Sequence, residues 1–332
     1  MRIAILGAGA IGSSLAYRLS AAGNRVGILA RGEALAAIRR DGIGFETQDG
    51  RRHAHVAAAS EAIRLGPADI AIVTTKAPAL SGMAGAIAAV DAPVLLFILN
   101  GIPWWYGRDG ATAPPLAFLD PGGLIALAAA GRAVVGGVLY SAHQLVRPGV
   151  AQDFPVDRSD LLIGATAGEM PPEGHAFAAA AKAAGIAVRS TGCVRREVWS
   201  KLVTNIAVSP VCALAGEPLS ILGRDAAMLE LAKALMRDVI AVAGACGFEL
   251  PHDPGTHFGP RHLGSSFKPS MLQDFEAGRV AEIDAILTAP RAFAREAGLL
   301  TPTLDRVTDA VVDKARRAGL YPPFQPSEGG HR

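Results

Sequence analysis

The chain has 332 residues, a formal net charge of +2, an apolar content of 50% and a mean hydropathy of +0.30. That length is long for one core and predicts two domains; the small charge has no basic tract behind it, which argues against a nucleic-acid surface, and no uninterrupted apolar stretch reaches the ~18 residues of a membrane span. Cys193, Cys212 and Cys246 are too scattered for a disulfide framework or a C-x-x-C metal site, so the expected home is a reducing cytoplasm and no metal is expected.

The chain opens MRIAILGAGAIGSSLAYRLSAAGNRVGILAR. Residues 3–6 are apolar without polar alternation, as in a strand buried on both faces of a parallel sheet. Gly7, Ala8, Gly9, Ala10, Ile11 and Gly12 follow as G-x-G-x-x-G. Leu15, Ala16 and Leu19 then recur at helical spacing, and Gly23-Asn24 stops the helix before a second β run over 26–30. Strand, glycine turn, helix and strand is the context in which this motif binds a dinucleotide: Gly7 permits the turn, Gly9 lets backbone N–H groups approach a pyrophosphate, and Gly12 lets the helix pack on the strand. A signal peptide is the competing reading; it is disfavoured by a single positive charge and by glycines at the spacing a nucleotide needs. An NAD site usually places an acidic residue at the end of the second strand, to bind the ribose 2′-OH. Here the strand ends in Arg31, which suits a 2′-phosphate and predicts NADP(H) over NAD.

A short helix over 33–40 and two β runs over 42–56 around the turn signal Asp49-Gly50 come next. Residues 69–74 (DIAIVT) read as a buried parallel strand with Lys76 past its carboxyl end, 79–90 as a small-residue helix, and 94–99 (VLLFIL) as a strand running into Asn100-Gly101. Ligands of open α/β sheets bind beyond the carboxyl ends of the strands, so the Gly7 turn, Lys76 and Asn100 are expected on one edge. Residues 103–131 form a Pro/Gly-rich excursion that holds Trp104 and Trp105; a packed surface loop is preferred over a lid. The sheet resumes over 133–140, a β pair is predicted over 149–164, a helix over 175–184, and 186–188 closes the first domain near Thr191-Gly192.

From residue 194 the pattern becomes helical, with candidates at 194–214, 226–246, 269–277, 280–297 and 304–318. His252, His257 and His262 lie in a Pro/Gly loop without a scaffold to fix metal ligands, and the tail after Tyr321 is expected to be disordered. Along the first of these helices Lys201, Asn205 and Ser209 recur every four residues among Leu202, Val203, Ile206 and Val208. This puts an ammonium, an amide and a hydroxyl on one face. Pro210 cannot donate to the carbonyl of Ile206, which leaves an acceptor beside that face. A lysine in partly apolar surroundings is a usable proton donor near neutral pH; an ordinary snorkelling lysine is the plainer alternative. Farther on, Ser270 and Glu282 belong to two helices separated at Gly278, with Glu282 and Asp284 expected in the first turn of the second, where the helix dipole favours negative charge.

GAGAIG at 7–12, Lys76 after a buried strand, Asn100-Gly101, WSKLVTN at 199–205, SMLQD at 270–274 and EID at 282–284 together resemble the ketopantoate reductase (2-dehydropantoate 2-reductase) family across nearly the whole chain. The resemblance implies a Rossmann-type doubly wound α/β domain over 1–192 and an all-α domain over 193–332 like the C-terminal domain of 6-phosphogluconate dehydrogenase. It implies NADPH-dependent reduction of a small-molecule 2-keto acid to a 2-hydroxy acid, with ketopantoate and pantothenate biosynthesis as the leading case. It also implies roles. Lys201 matches the proton donor, Glu282 the acidic group beside it and the substrate hydroxyl, and Asn205 and Ser270 substrate contacts. Asn100 matches a residue touching cofactor and substrate, Lys76 one near the cofactor, and Ala142 a cofactor contact. The family usually has a second asparagine where this chain has Ser209. That leaves a substrate-binding position with a shorter arm and opens the choice of 2-keto acid, a related NADP-dependent 2-oxo or β-hydroxy acid dehydrogenase being the alternative. A dinucleotide sensor without turnover is disfavoured, since it would not need a proton donor. The apolar second half is compatible with a homodimer, without a self-complementary pattern to argue it.

Overall fold

Short runs of aliphatic residues without polar alternation build the centre of an eight-stranded sheet in a computed structural model that describes residues 1–47, 50–107, 116–154 and 158–321. The chain divides into two units, Met1–Lys201 and Leu202–Arg332. The first holds all the strands among the described residues: β1 (Arg2–Leu6), β2 (Arg25–Leu29), β3 (Ile43–Thr47), β4 (Gly50–Ala54), β5 (Ala57–Ala59), β6 (Ile70–Val73), β7 (Val94–Ile98), β8 (Ala133–Tyr140), β9 (Ala142–Arg147), β10 (Val150–Phe154), β11 (Asp160–Ala165) and β12 (Val188–Ser190). The large sheet runs β12-β11-β8-β7-β6-β1-β2-β5. From β8 to β5 every neighbour is parallel, whereas β11 is antiparallel to β8 and pairs in parallel with β12. Ile3, Ile5, Ile70, Ile72 and Leu96 are at most 2% exposed, which is why these strands read as unbroken apolar runs. The strand order reverses at β1, with β2 and β5 on one side and β6, β7 and β8 on the other, and open α/β sheets bind ligands at the carboxyl ends beside such a reversal.

The helices of this unit are α1 (Ala10–Ala21), α2 (Gly32–Asp41), α3 (Ala84–Ala89), α4 (Leu124–Ala128) and α5 (Pro172–Ala183). A second sheet, β4-β3-β10-β9, is tied to α1: Arg18 Nη2 meets Asp153 Oδ2 at 2.6 Å and Ser14 Oγ donates to Asp153 Oδ1 at 3.0 Å.

Several sequence expectations change here. The helix expected over 79–90 is two 3-10 turns, Ala77–Ala79 and Ser81–Met83, followed by the six-residue α3; Pro78, Gly82 and Gly85 weaken a regular helix at that point. The β pair expected over 149–164 is split, since β10 joins the small sheet beside β9 and β11 joins the large one. β5, three alanines at the sheet edge, carries no strand signal of its own and is held by pairing with β2. Asp49 of the turn signal, residues 108–115 of the excursion and residues 155–157 of the expected pair lie outside the described residues, as does the tail from 322 onward, for which disorder was expected.

Helix α6 (Val194–Ala215) leads into the second unit, which is helical: α7 (Ile221–Arg224), α8 (Ala226–Ala245), α9 (Pro260–Leu263), α10 (Ser270–Glu276), a π segment (Asp284–Thr288), α11 (Ala289–Glu296) and α12 (Pro302–Arg317). Asp225 caps α8 through the N–H groups of Ala227 and Met228, and Asp238 on α8 accepts from the N–H groups of Thr303 and Leu304, capping α12. Val211, Cys212, Leu222, Ala232 and Leu272 form part of its core. The single helix expected over 280–297 is a π turn running into an α-helix. Pro290 lacks the N–H that an α-helix needs to reach the carbonyl of Ile286. α6 is long and apolar enough to cross a membrane, although no uninterrupted apolar stretch marks it; 61% of its most apolar window is buried within the protein, as for a core helix.

Candidate functional site

β1 ends at Leu6 and the chain turns through Gly7 at φ +123°, a region side-chain-bearing residues rarely adopt. Gly9 caps α1 with ordinary extended dihedrals (φ −77°, ψ −170°) and no side-chain cap. A Cβ built on it meets nothing within 4 Å. The first turn of this 12-residue helix therefore offers uncapped N–H donors and the positive end of its dipole to open space. Gly12 is the opposite case, for a Cβ there would lie 1.9 Å from the Gly7 carbonyl oxygen and 2.7 Å from Thr74 Oγ1. Thr74 Oγ1 donates to that same Gly7 carbonyl at 3.1 Å, and Thr75 Oγ1 donates to the Leu6 carbonyl at 3.3 Å. These two threonines brace the glycine turn from the end of β6. Sequence reasoning passed over them, although a hydroxyl pair directly after a buried strand was a signal.

The neighbouring strand ends carry the other expected residues. Arg31 is exposed just past β2, Lys76 is exposed past β6, Asn100 is half-buried past β7, and Ala142 follows β8 by two residues. Asn100 Oδ1 accepts a hydrogen bond from Lys201 Nζ at 2.5 Å, so two residues 101 positions apart meet at the carboxyl end of β7. The start of α6 is anchored to make this contact. Arg195 Nε donates to the Tyr106 carbonyl at 3.0 Å and Nη1 to that of Thr166 at 2.9 Å, and Trp199 Nε1 donates to the Tyr106 hydroxyl at 2.5 Å. Ile102, Trp104, Trp105 and Tyr106 are buried, so the described start of the excursion is packed structure that supports α6. Chemically, this edge can hold an anion on N–H donors and present an ammonium, fixed by an amide oxygen, to a developing negative charge.

In the helical unit, Asn205 lies one turn beyond Lys201 on α6 and is half-buried, and Ser270 opens α10 half-buried. Glu282 is 4% exposed and immediately precedes the helix rather than lying in its first turn; its carbonyl accepts from the N–H of Ile286 at 3.1 Å. Asp284, expected with it in that first turn, accepts a hydrogen bond from the Tyr321 hydroxyl. Ser209 is fully buried and its hydroxyl has no hydrogen-bond partner among the described residues, so its side chain does not line an open face in this structure. The rings of His252 and His262 approach His257 at 6.4 and 5.3 Å between centroids. Among the described residues no three His, Cys, Asp or Glu side chains are arranged to hold a metal ion.

Comparison with known proteins adds a family. A model described as ketopantoate reductase PanE/ApbA matches residues 3–104, and its C-terminal counterpart matches residues 193–315. A 2-dehydropantoate 2-reductase of Mesorhizobium japonicum is 32% identical over 328 residues, 97% of this chain and 100% of the relative. The crystal structure of a candidate ketopantoate reductase from Ralstonia solanacearum MolK2 superposes with a TM-score of 0.85 at 31% identity, covering 96% of this chain and 99% of the other. The structure of a D-mandelate dehydrogenase with NADH and anilino(oxo)acetate matches with a TM-score of 0.78 over 96% of this chain and 100% of that one; at 22% identity the likeness is one of fold.

Proposed function

The chain belongs to the ketopantoate reductase family, and from that premise we propose that it is an NADPH-dependent reductase of a 2-keto acid, ketopantoate to pantoate being the leading case, in cytoplasmic pantothenate biosynthesis. The parallel order β5-β2-β1-β6-β7-β8 with a glycine turn after β1 supports naming the first domain Rossmann-type. The family's C-terminal model beginning at residue 193 supports a boundary between 192 and 193, with a helical domain of the 6-phosphogluconate dehydrogenase C-terminal kind beyond it.

The residues fit a dinucleotide. The space over Gly9 and the uncapped start of α1 suit a pyrophosphate, and exposed Arg31 past β2 suits a 2′-phosphate, which favours NADPH over NADH. Lys76, Asn100 and Ala142 complete the cofactor side. When bound, NADPH supplies the hydride. Lys201 donates the proton that the ketone oxygen takes up as its carbon is reduced, and its ammonium stabilises the charge that develops there. Asn100 holds that ammonium in place. Asn205 and Ser270 orient the keto acid, and Glu282 takes a substrate hydroxyl. A second reading is a related dehydrogenase acting on another 2-oxo acid, since the fold is shared with a D-mandelate dehydrogenase.

The observation that carries the proposal is the 2.5 Å Lys201–Asn100 contact on the edge that also holds the glycine turn. The test follows NADPH absorbance against a panel of 2-keto acids. Fast turnover with ketopantoate supports the first reading, preference for another member supports the second, and inertness toward the whole panel contradicts both.

A further inference from the structure

Four consecutive carbonyls of the glycine turn are each held by a donor. Leu6 accepts from the Thr74 N–H at 3.1 Å and from Thr75 Oγ1 at 3.3 Å, and Gly7 accepts from Thr74 Oγ1 at 3.1 Å. Ala8 accepts from Ser13 Oγ at 3.3 Å and Gly9 from the Ser13 N–H at 2.9 Å. A carbonyl oxygen can only accept, so each hydroxyl must be the donor, and no titratable group enters the assignment. The donors stand on fixed elements. The Thr74 N–H bond carries the β1–β6 pairing one step past the end of both strands, and Ser13 is a fully buried residue of α1. Gly12 makes room for the arrangement, since a Cβ there would lie 2.7 Å from Thr74 Oγ1.

Peptide geometry turns held carbonyls into aimed N–H groups. A trans peptide is planar, with its C=O and N–H on opposite sides, and every peptide here is trans. Fixing the Gly7 carbonyl on Thr74 therefore points the Ala8 N–H away from the Thr74 hydroxyl. Fixing the Ala8 carbonyl on Ser13 likewise points the Gly9 N–H away from the Ser13 hydroxyl. Gly7 cannot do this for itself: at φ +123° and without a Cβ, it constrains its own peptides least. The hydroxyls supply the constraint that glycine lacks, before any ligand arrives.

We propose that Thr74 and Ser13 are positioning residues for the dinucleotide: their hydroxyls hold the Gly7 and Ala8 carbonyls so that the Ala8 and Gly9 N–H groups are preset toward the pyrophosphate. This rests on reading the turn as the pyrophosphate site of NADPH. It assigns part of the cofactor affinity to two side chains that act through the backbone, one on α1 and one past the end of β6.

The test titrates the full chain with NADPH and with adenosine 2′-monophosphate, which carries the adenine and the 2′-phosphate but no pyrophosphate. Thr74→Val keeps the branched shape and removes one donor, and Ser13→Ala removes the other. Each variant should bind NADPH about tenfold more weakly, the scale of one hydrogen bond. Each should bind adenosine 2′-monophosphate as wild type does, which doubles as the control for folding. Thr74→Ser retains the hydroxyl and should retain the NADPH affinity. Equal weakening of both ligands would mean that the hydroxyls only hold the domain together, and unchanged affinity for both would mean that the turn is set without them. Thr74→Ser as weak as Thr74→Val would mean that the methyl matters and not the hydroxyl. Each of these results overturns the proposal and leaves the NADPH reading standing, whereas wild type binding neither ligand overturns that reading and the proposal with it.

Discussion

Gly9 and Gly12 stand three residues apart in one turn and should fail in different ways. A methyl added at Gly12 would lie 1.9 Å from the Gly7 carbonyl oxygen, where ordinary van der Waals contact needs about 3.4 Å or more. The obstacle is backbone and not the end of a flexible side chain, so α1 must move by about 1.5 Å away from the turn. Overpacking of this kind costs about 1–3 kcal/mol, and because it also displaces the N–H groups aimed at the pyrophosphate, cofactor affinity should fall about a hundredfold. At Gly9 a Cβ meets nothing within 4 Å and φ is −77°, so Gly9→Ala should leave the unliganded fold as stable as wild type, or slightly more so. Its methyl occupies only the space a pyrophosphate needs, and NADPH should bind at least about tenfold more weakly. Thermal unfolding with and without NADPH, paired with calorimetric titration, separates the two. Gly12→Ala should lower Tm in both conditions, and Gly9→Ala should lower only the increment that NADPH adds. Gly9→Ala retaining the full increment would refute the claim that the dinucleotide lies against this turn.

Lys201→Ala should reduce kcat about a thousandfold, the usual scale for a general acid, with the calorimetric Kd for NADPH nearly unchanged; lost cofactor binding instead would mean the lysine is misassigned. Arg31→Ala should weaken NADPH about tenfold and NADH hardly at all, as measured by the ratio of the two Kd values. Tyr321→Phe removes the hydrogen bond to Asp284 and should cost about 1 kcal/mol in urea unfolding. For Asp160, burial works to raise the carboxyl, but Arg158 and Arg189 outweigh it and hold its pKa below the ordinary value. A depressed folded-state pKa contributes stability that is present above the unfolded pKa of about 3.9 and is lost as pH falls through the lower folded value. Asp160→Asn should therefore show a shallower loss of Tm below about pH 4 than wild type.

The nucleotide half was legible because its signals are local. An apolar run, three glycines at fixed spacing and a helical repeat dictate β1, the turn and α1 without reference to the rest of the chain, and the strands ending near Lys76 and Asn100 carry the same unbroken apolar pattern. What escaped was set by tertiary pairing. β5 is three alanines that become a strand because β2 offers an edge, and β10 and β11, adjacent in sequence, separate because one packs beside α1 and the other beside β8. The ties of Ser14 and Arg18 to Asp153 need a hairpin brought onto α1, which no spacing along the sequence discloses. Ser209 shows the same limit: four-residue spacing puts it on the face of Lys201 and Asn205, but spacing says nothing about what covers that face, and Ser209 is fully buried.

The most direct measurement of the account is the fate of the hydride. With NADPH carrying deuterium at the transferred C4 position and ketopantoate as acceptor, mass spectrometry of the product should find one deuterium on the new C–H carbon, formed at a rate that collapses in Lys201→Ala. Product without deuterium, or with label unaffected by that substitution, would contradict it.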